Sequence, residues 1–123
     1  KSGEPGSSLL NTAKGLEYSD NDPDFYRELL RLFTEEAPKS LERLSSALAD
    51  NDLELYTTLV HGLKNNARGI GADSAGELCF EAEQTARAGN AAPLPELHLK
   101  IEQAITEAAA EAARLSEAEK ITQ

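Results

Sequence analysis

Apolar residues along this chain recur at steps of three and four, and no stretch alternates in the two-residue manner of a half-buried strand. That periodicity restricts the chain to helices that bury one face. β-branched residues are scarce, which removes the usual strand formers. The expected class is all-α: an up-and-down bundle of four main helices with a short N-terminal helix as an extra cover. A chain of 123 residues suits a single domain of this kind.

The pattern also sets expected boundaries. Residues 1–8, with two glycines and nothing to bury, read as a linker, leaving 9–120 for the folded domain. A short helix is expected around Asn11 to Leu16, followed by turn and cap residues from Ser19 to Pro23. The next runs from Pro23 to Ala37, with Phe25, Leu29, Leu32 and Phe33 on its apolar face. Pro38 is expected to start a separate helix carrying Leu41, Leu44 and Leu48, which Asp50-Asn51-Asp52 breaks while capping its successor. Ser74 and Glu77 have capping-box spacing for a further helix that Gly89 ends. Pro93 and Pro95 mark the start of the last, whose stripe is Leu97, Ile101, Ala104, Ala108, Ala112 and Leu115.

Between Leu53 and Ala72 lies the helix that carries chemistry. Leu53, Tyr56, Val60, Leu63, Ala67 and Ile70 form its buried stripe. At about 100° per residue, His61 points roughly 130° from the centre of that stripe and is expected to face water. Lys64, Asn65 and Arg68 follow it by three, four and seven residues, so all are expected to project near the imidazole. Gly62, Gly69 and Gly71 each cost about 1 kcal/mol relative to alanine within a helix. Gly69 and Gly71 have a reading as helix terminators, whereas Gly62 beside the histidine suggests close approach of another surface. An unperturbed imidazole titrates at about 6.5, so an exposed one is largely neutral near pH 7 and has a nitrogen able to attack phosphorus. An attached phosphoryl group would bring close to two negative charges, which nearby cations offset.

The segment His61-Gly62-Leu63-Lys64 followed by Gly69-Ile70-Gly71-Ala72 resembles the signature of the histidine-containing phosphotransfer family. The resemblance extends upstream through Asp24 to Phe33 and downstream through Ala82 to Gly89, covering roughly residues 10–117. It implies that His61 accepts a phosphoryl group from the phosphoaspartate of one receiver domain and passes it to an aspartate of another. It further implies Lys64 as the stabilising charge, with Gly62, Asn65 and Arg68 at the phosphate or partner surface. The domain itself would hold no cofactor and have no kinase or ATPase activity, the magnesium belonging to the receiver. A monomer is implied. One position departs from the family: its usual glycine four residues after the histidine is Asn65 here, which bears on docking geometry. Glu83 or Gln84 has a reading as an orienting partner of the imidazole, although both read more readily as ordinary surface residues.

Other classes fare worse. With 12 basic and 22 acidic residues the formal charge is −10, which repels nucleic acid. Cys79, the single cysteine, sits in core-like surroundings that disfavour a thiolate. His98 is the only other histidine, and no metal-ligand spacing is evident. An autophosphorylating kinase usually has an acidic residue directly after the histidine, where this chain has Gly62, and no nucleotide-binding glycine loop occurs. A non-catalytic module that docks a receiver without being phosphorylated is the main alternative. No apolar run is long enough to span a bilayer and the N-terminus lacks the order of a secretory signal, so the chain as given is expected to be soluble; its lone cysteine suits a cytoplasmic setting, which includes the cytoplasmic part of a membrane-bound sensor kinase. The chain has no methionine, as expected of a piece of a longer polypeptide such as the C-terminal part of a hybrid sensor kinase.

Overall fold

The structure, a computed structural model, describes residues 10–117; the linker expected at 1–8 and the last residues of the expected domain lie outside them. Its helices are α1 (Thr12–Tyr18), α2 (Pro23–Ala49), α3 (Leu53–Gly69), α4 (Asp73–Arg87) and α5 (Leu94–Glu117). The four long helices form a ring in which α3 packs between α2 and α4, and α5 closes against both α4 and α2. Short connections make neighbours antiparallel. The core of the bundle holds Leu30, Leu44, Tyr56, Val60, Ile101 and Ile105, each at most 1% exposed.

Pro38 does not divide α2. It lies on the exposed side of a continuous helix whose buried positions, Leu30, Phe33, Ala37, Leu44 and Ala47, stay in phase on both sides of it. An interior proline costs about 3 kcal/mol, but breaking the helix there would detach one half of this stripe from α5. The apolar face of α2 is also rotated from the expected one. Tyr26, Leu30 and Phe33 are buried, while Phe25 is 50% and Leu32 41% exposed. Tyr26 wins its place because its ring fills the core and its hydroxyl donates to the Ile70 carbonyl oxygen at 2.8 Å.

Turn chemistry sets the helix ends. Asn51 (φ +56°) lies between α2 and α3, and Asp52 accepts from the Leu55 N–H at 3.1 Å to cap α3. After α3, Gly71 N–H bonds to Arg68 O and Ala72 N–H to Ala67 O, the paired bonds of a Schellman close. The capping box expected at Ser74 does not form. The Ala72 carbonyl already accepts from Gly76 N–H, so α4 starts at Asp73 and places Ser74 inside its first turn. Gly89 closes α4 as expected, at φ +76°.

Gly71 also ties α1 to the bundle. Its φ is +90°, its carbonyl accepts from Asn11 N–H at 2.8 Å, and an added Cβ would meet the Asn11 carbonyl oxygen at 2.2 Å. Gly71→Ala therefore combines backbone strain with a backbone clash and is expected to destabilise the domain by about 2–4 kcal/mol. Urea unfolding checks this; a loss below about 0.5 kcal/mol, the scale of an ordinary surface change, would contradict it.

Candidate functional site

The site is built by α3 and α4 where they pack side by side. The α3 stripe is buried as expected except at Leu53, which is only partly buried; Tyr56, Val60, Leu63, Ala67 and Ile70 are at most 3% exposed, and this turns His61 outward with its side chain 51% exposed. Gly62 also faces solvent, and a Cβ there would meet nothing within 4 Å. No neighbour among the described residues requires that glycine.

Glu83 of α4 organises the site. Its side chain is 3% exposed and gathers three donors: His61 Nδ1 at 2.7 Å, Lys64 Nζ at 2.7 Å and Arg87 Nη2 at 2.9 Å. The surface reading favoured by the sequence is thus corrected for Glu83, whereas Gln84 is exposed. Periodicity offered a signal: Glu83 lies four residues after Cys79 and beside Ala82, on the buried stripe of α4. Arg87 was missed as a site residue because only the interhelical packing reveals what Glu83 holds.

Lys64 is corrected too. It projects inward, is 8% exposed, and reaches Glu83 rather than lying open beside the imidazole. Its ammonium sits 5.5 Å from the Phe80 ring centroid. Arg68 does not join the histidine among the described contacts: its guanidinium lies 5.7 Å from the Phe80 centroid and 3.6 Å from Glu77. Asn65 does join it, placing Nδ2 3.3 Å from His61 Nε2.

Burial alone would raise the Glu83 carboxyl pKa, but hydrogen bonds and charge from Lys64 and His61 reverse that and pull it from the ordinary 4.5 down to about 2. The carboxylate is ionised at neutral pH and can only accept. The imidazole facing it must carry its N–H on Nδ1, which leaves the lone pair of the neutral ring on Nε2. One carboxylate against Lys64 and Arg87 leaves the cluster with a net positive charge beside a nucleophilic nitrogen.

A depressed carboxyl pKa contributes stability that is fully present above 4.5 and is lost as pH falls towards 2. The melting temperature of the wild type is expected to drop through that window more steeply than that of Glu83→Gln. Parallel slopes in thermal melts across it would show that Glu83 is not the linked group.

A groove of about 320 Å³ runs between α2 and α3, lined by Leu29, Leu32, Phe33, Leu63, Asn65 and Gly69 among others. Cys79 and His98 are buried and take no part in the bonds to His61. Cys79 is fully buried, and burial pushes its thiol up to about 12, as the core reading anticipated. His98 is 5% exposed, with Nδ1 3.1 Å from the Tyr56 hydroxyl. Among the described residues, no three histidine, cysteine or acidic side chains come together in a way that could hold a metal ion.

Fold and site together define a class: four-helix bundles that present a surface histidine beside fixed cations. The chain belongs to the Hpt domain family, the histidine-containing phosphotransfer domains of phosphorelays, whose profile matches residues 28–111 and so spans His61 and its bonding partners. Two solved structures share the fold. The HPT domain of an Hpt sensor hybrid histidine kinase from Shewanella superposes with a TM-score of 0.81 at 20% identity, over 90% of this chain and 97% of that one. Histidine-containing phosphotransfer protein B from Pseudomonas aeruginosa PAO1 gives 0.82 at 21% identity, over 91% and 97%. No curated protein matches the sequence. No helix among the described residues is long and apolar enough to cross a membrane.

Proposed function

We propose that His61 is the phosphoryl carrier of this domain, taking the group from the phosphoaspartate of one receiver and delivering it to an aspartate of another. The carrying observation is the bond from His61 Nδ1–H to the buried Glu83, which fixes the ring and directs the Nε2 lone pair to the exposed side. As Nε2 attacks phosphorus the ring gains positive charge, and the Glu83 carboxylate lies 2.7 Å from the N–H that shares it. Lys64 acts mainly through Glu83, holding the carboxylate in place. Arg87, 59% exposed where Lys64 is buried, is the more open cation to meet the phosphoryl oxygens.

Phosphoryl transfer depends on positioning and charge neutralisation, and this domain supplies the nucleophile and its orientation while the receiver contributes magnesium. The groove between α2 and α3 is the docking seat, since its wall includes Asn65, which contacts His61, and it exposes Leu32. The domain works as a monomer in the cytoplasm. Attachment to a hybrid sensor kinase follows the Shewanella neighbour, which is part of one.

The test is incubation with a phosphorylated receiver. The expected product is an acid-labile, base-stable phosphoryl adduct on this chain. Asn65 on the reactive nitrogen favours a second reading, a docking module without phosphotransfer; binding to the receiver with no adduct would establish that reading instead.

A further inference from the structure

His61 is engaged at both ring nitrogens, by partners with opposite demands. Ionised Glu83 requires a proton on Nδ1, so Nε2 of the neutral ring can only accept, and Asn65 must turn its NH2 rather than its carbonyl towards it. The lone pair that has to attack phosphorus is therefore occupied by a donor in the free domain. The same Asn65 forms part of the wall of the groove between α2 and α3. One side chain thus links the nucleophile to the surface where a partner would sit.

We propose that Asn65 is a docking-sensitive cap on the nucleophile: its amide holds the Nε2 lone pair in the free domain, and a receiver seated in the groove draws it away. This inference rests on the reading of His61 as phosphoryl acceptor. The step balances simply. The phosphorus–oxygen bond of the receiver's acyl phosphate breaks with its electron pair staying on the carboxylate, the Nε2 lone pair forms the phosphorus–nitrogen bond, and Nδ1 keeps its proton against Glu83. Phosphorus must arrive along the lone-pair direction that the amide occupies, so the cap has to leave first. Asn65 is exposed, and rotation of its side chain leaves the helix backbone unchanged. The consequence is selectivity: a small electrophile that ignores the groove meets a capped nitrogen, whereas a docked receiver meets an open one.

The experiment compares wild type with Asn65→Ala, which preserves helix propensity. Diethyl pyrocarbonate serves as the small electrophile at a pH where the ring is neutral, and His61 modification is read by peptide mass spectrometry with buried His98 as internal control. Loss of one neutral hydrogen bond is expected to raise the His61 rate about fivefold. Single-turnover transfer from a saturating phosphorylated receiver should be accelerated by a smaller factor than the diethyl pyrocarbonate reaction, because docking has already removed the cap. An unchanged diethyl pyrocarbonate rate overturns the cap. Equal acceleration of both reactions overturns its link to docking. Failure of the wild type to accept phosphate from any receiver would instead strike the phosphocarrier reading and the docking link with it, while the chemical probe still decides whether Asn65 caps Nε2.

Discussion

Glu83→Ala is expected to lower the melting temperature by roughly 10–20 °C and to slow phosphoryl acceptance by about ten- to a hundredfold. Removing one partner of a buried ion pair leaves the other charge without compensation, at a cost of about 3 kcal/mol, and Lys64 is the residue left so placed. The kinetic loss has a separate origin. Without the carboxylate, Nδ1–H has no fixed acceptor, the ring samples other orientations and tautomers, and the positive charge that develops on it is unopposed; partners that orient a histidine ligand have effects of this size. Glu83→Gln separates the two. It fills the same space and can still accept from Nδ1–H, so it should recover most of the kinetic loss while remaining less stable than wild type. Thermal melts and single-turnover transfer on both variants check this; an alanine variant as stable and as fast as wild type would contradict the organising role of Glu83.

For His61→Gln the expectation is complete loss of phosphoryl acceptance with the fold and receiver affinity retained. The side chain is half exposed and outside the core, so the substitution should change stability by only about 0.5 kcal/mol. A glutamine amide can still donate to Glu83, which keeps Lys64 and Arg87 paired, but it offers no nucleophilic nitrogen. Receiver binding measured by calorimetry, beside transfer measured with labelled phosphoreceiver, tells loss of chemistry from loss of docking. Label persisting on the glutamine variant would place the acceptor elsewhere.

The helical class, the stripe of α3 and the outward direction of His61 were legible because they follow from period and angle alone. Pro38 misled because a local breaker was weighed without the tertiary stripe that runs through it from Leu30 to Ala47. The face of α2 was misplaced because Phe25 and Leu32 are more apolar than Tyr26, whose hydroxyl finds a carbonyl on a distant turn. The failed capping box at Ser74 has a similar cause: the Schellman close of α3 had already fixed where α4 begins. At the site, residues on α3 could be placed relative to His61 by helical spacing, yet this missed the burial of Lys64 and overstated the reach of Arg68. Glu83 converges on His61 from another helix, 22 positions along the chain, and no single-helix geometry predicts that meeting.

Nitrogen-labelled domain, phosphorylated by its receiver and observed by NMR, shows which ring nitrogen couples to phosphorus. The account requires coupling to Nε2 of His61, with Nδ1 still protonated opposite Glu83. Phosphorus bonded to Nδ1, or to any other residue, would contradict it.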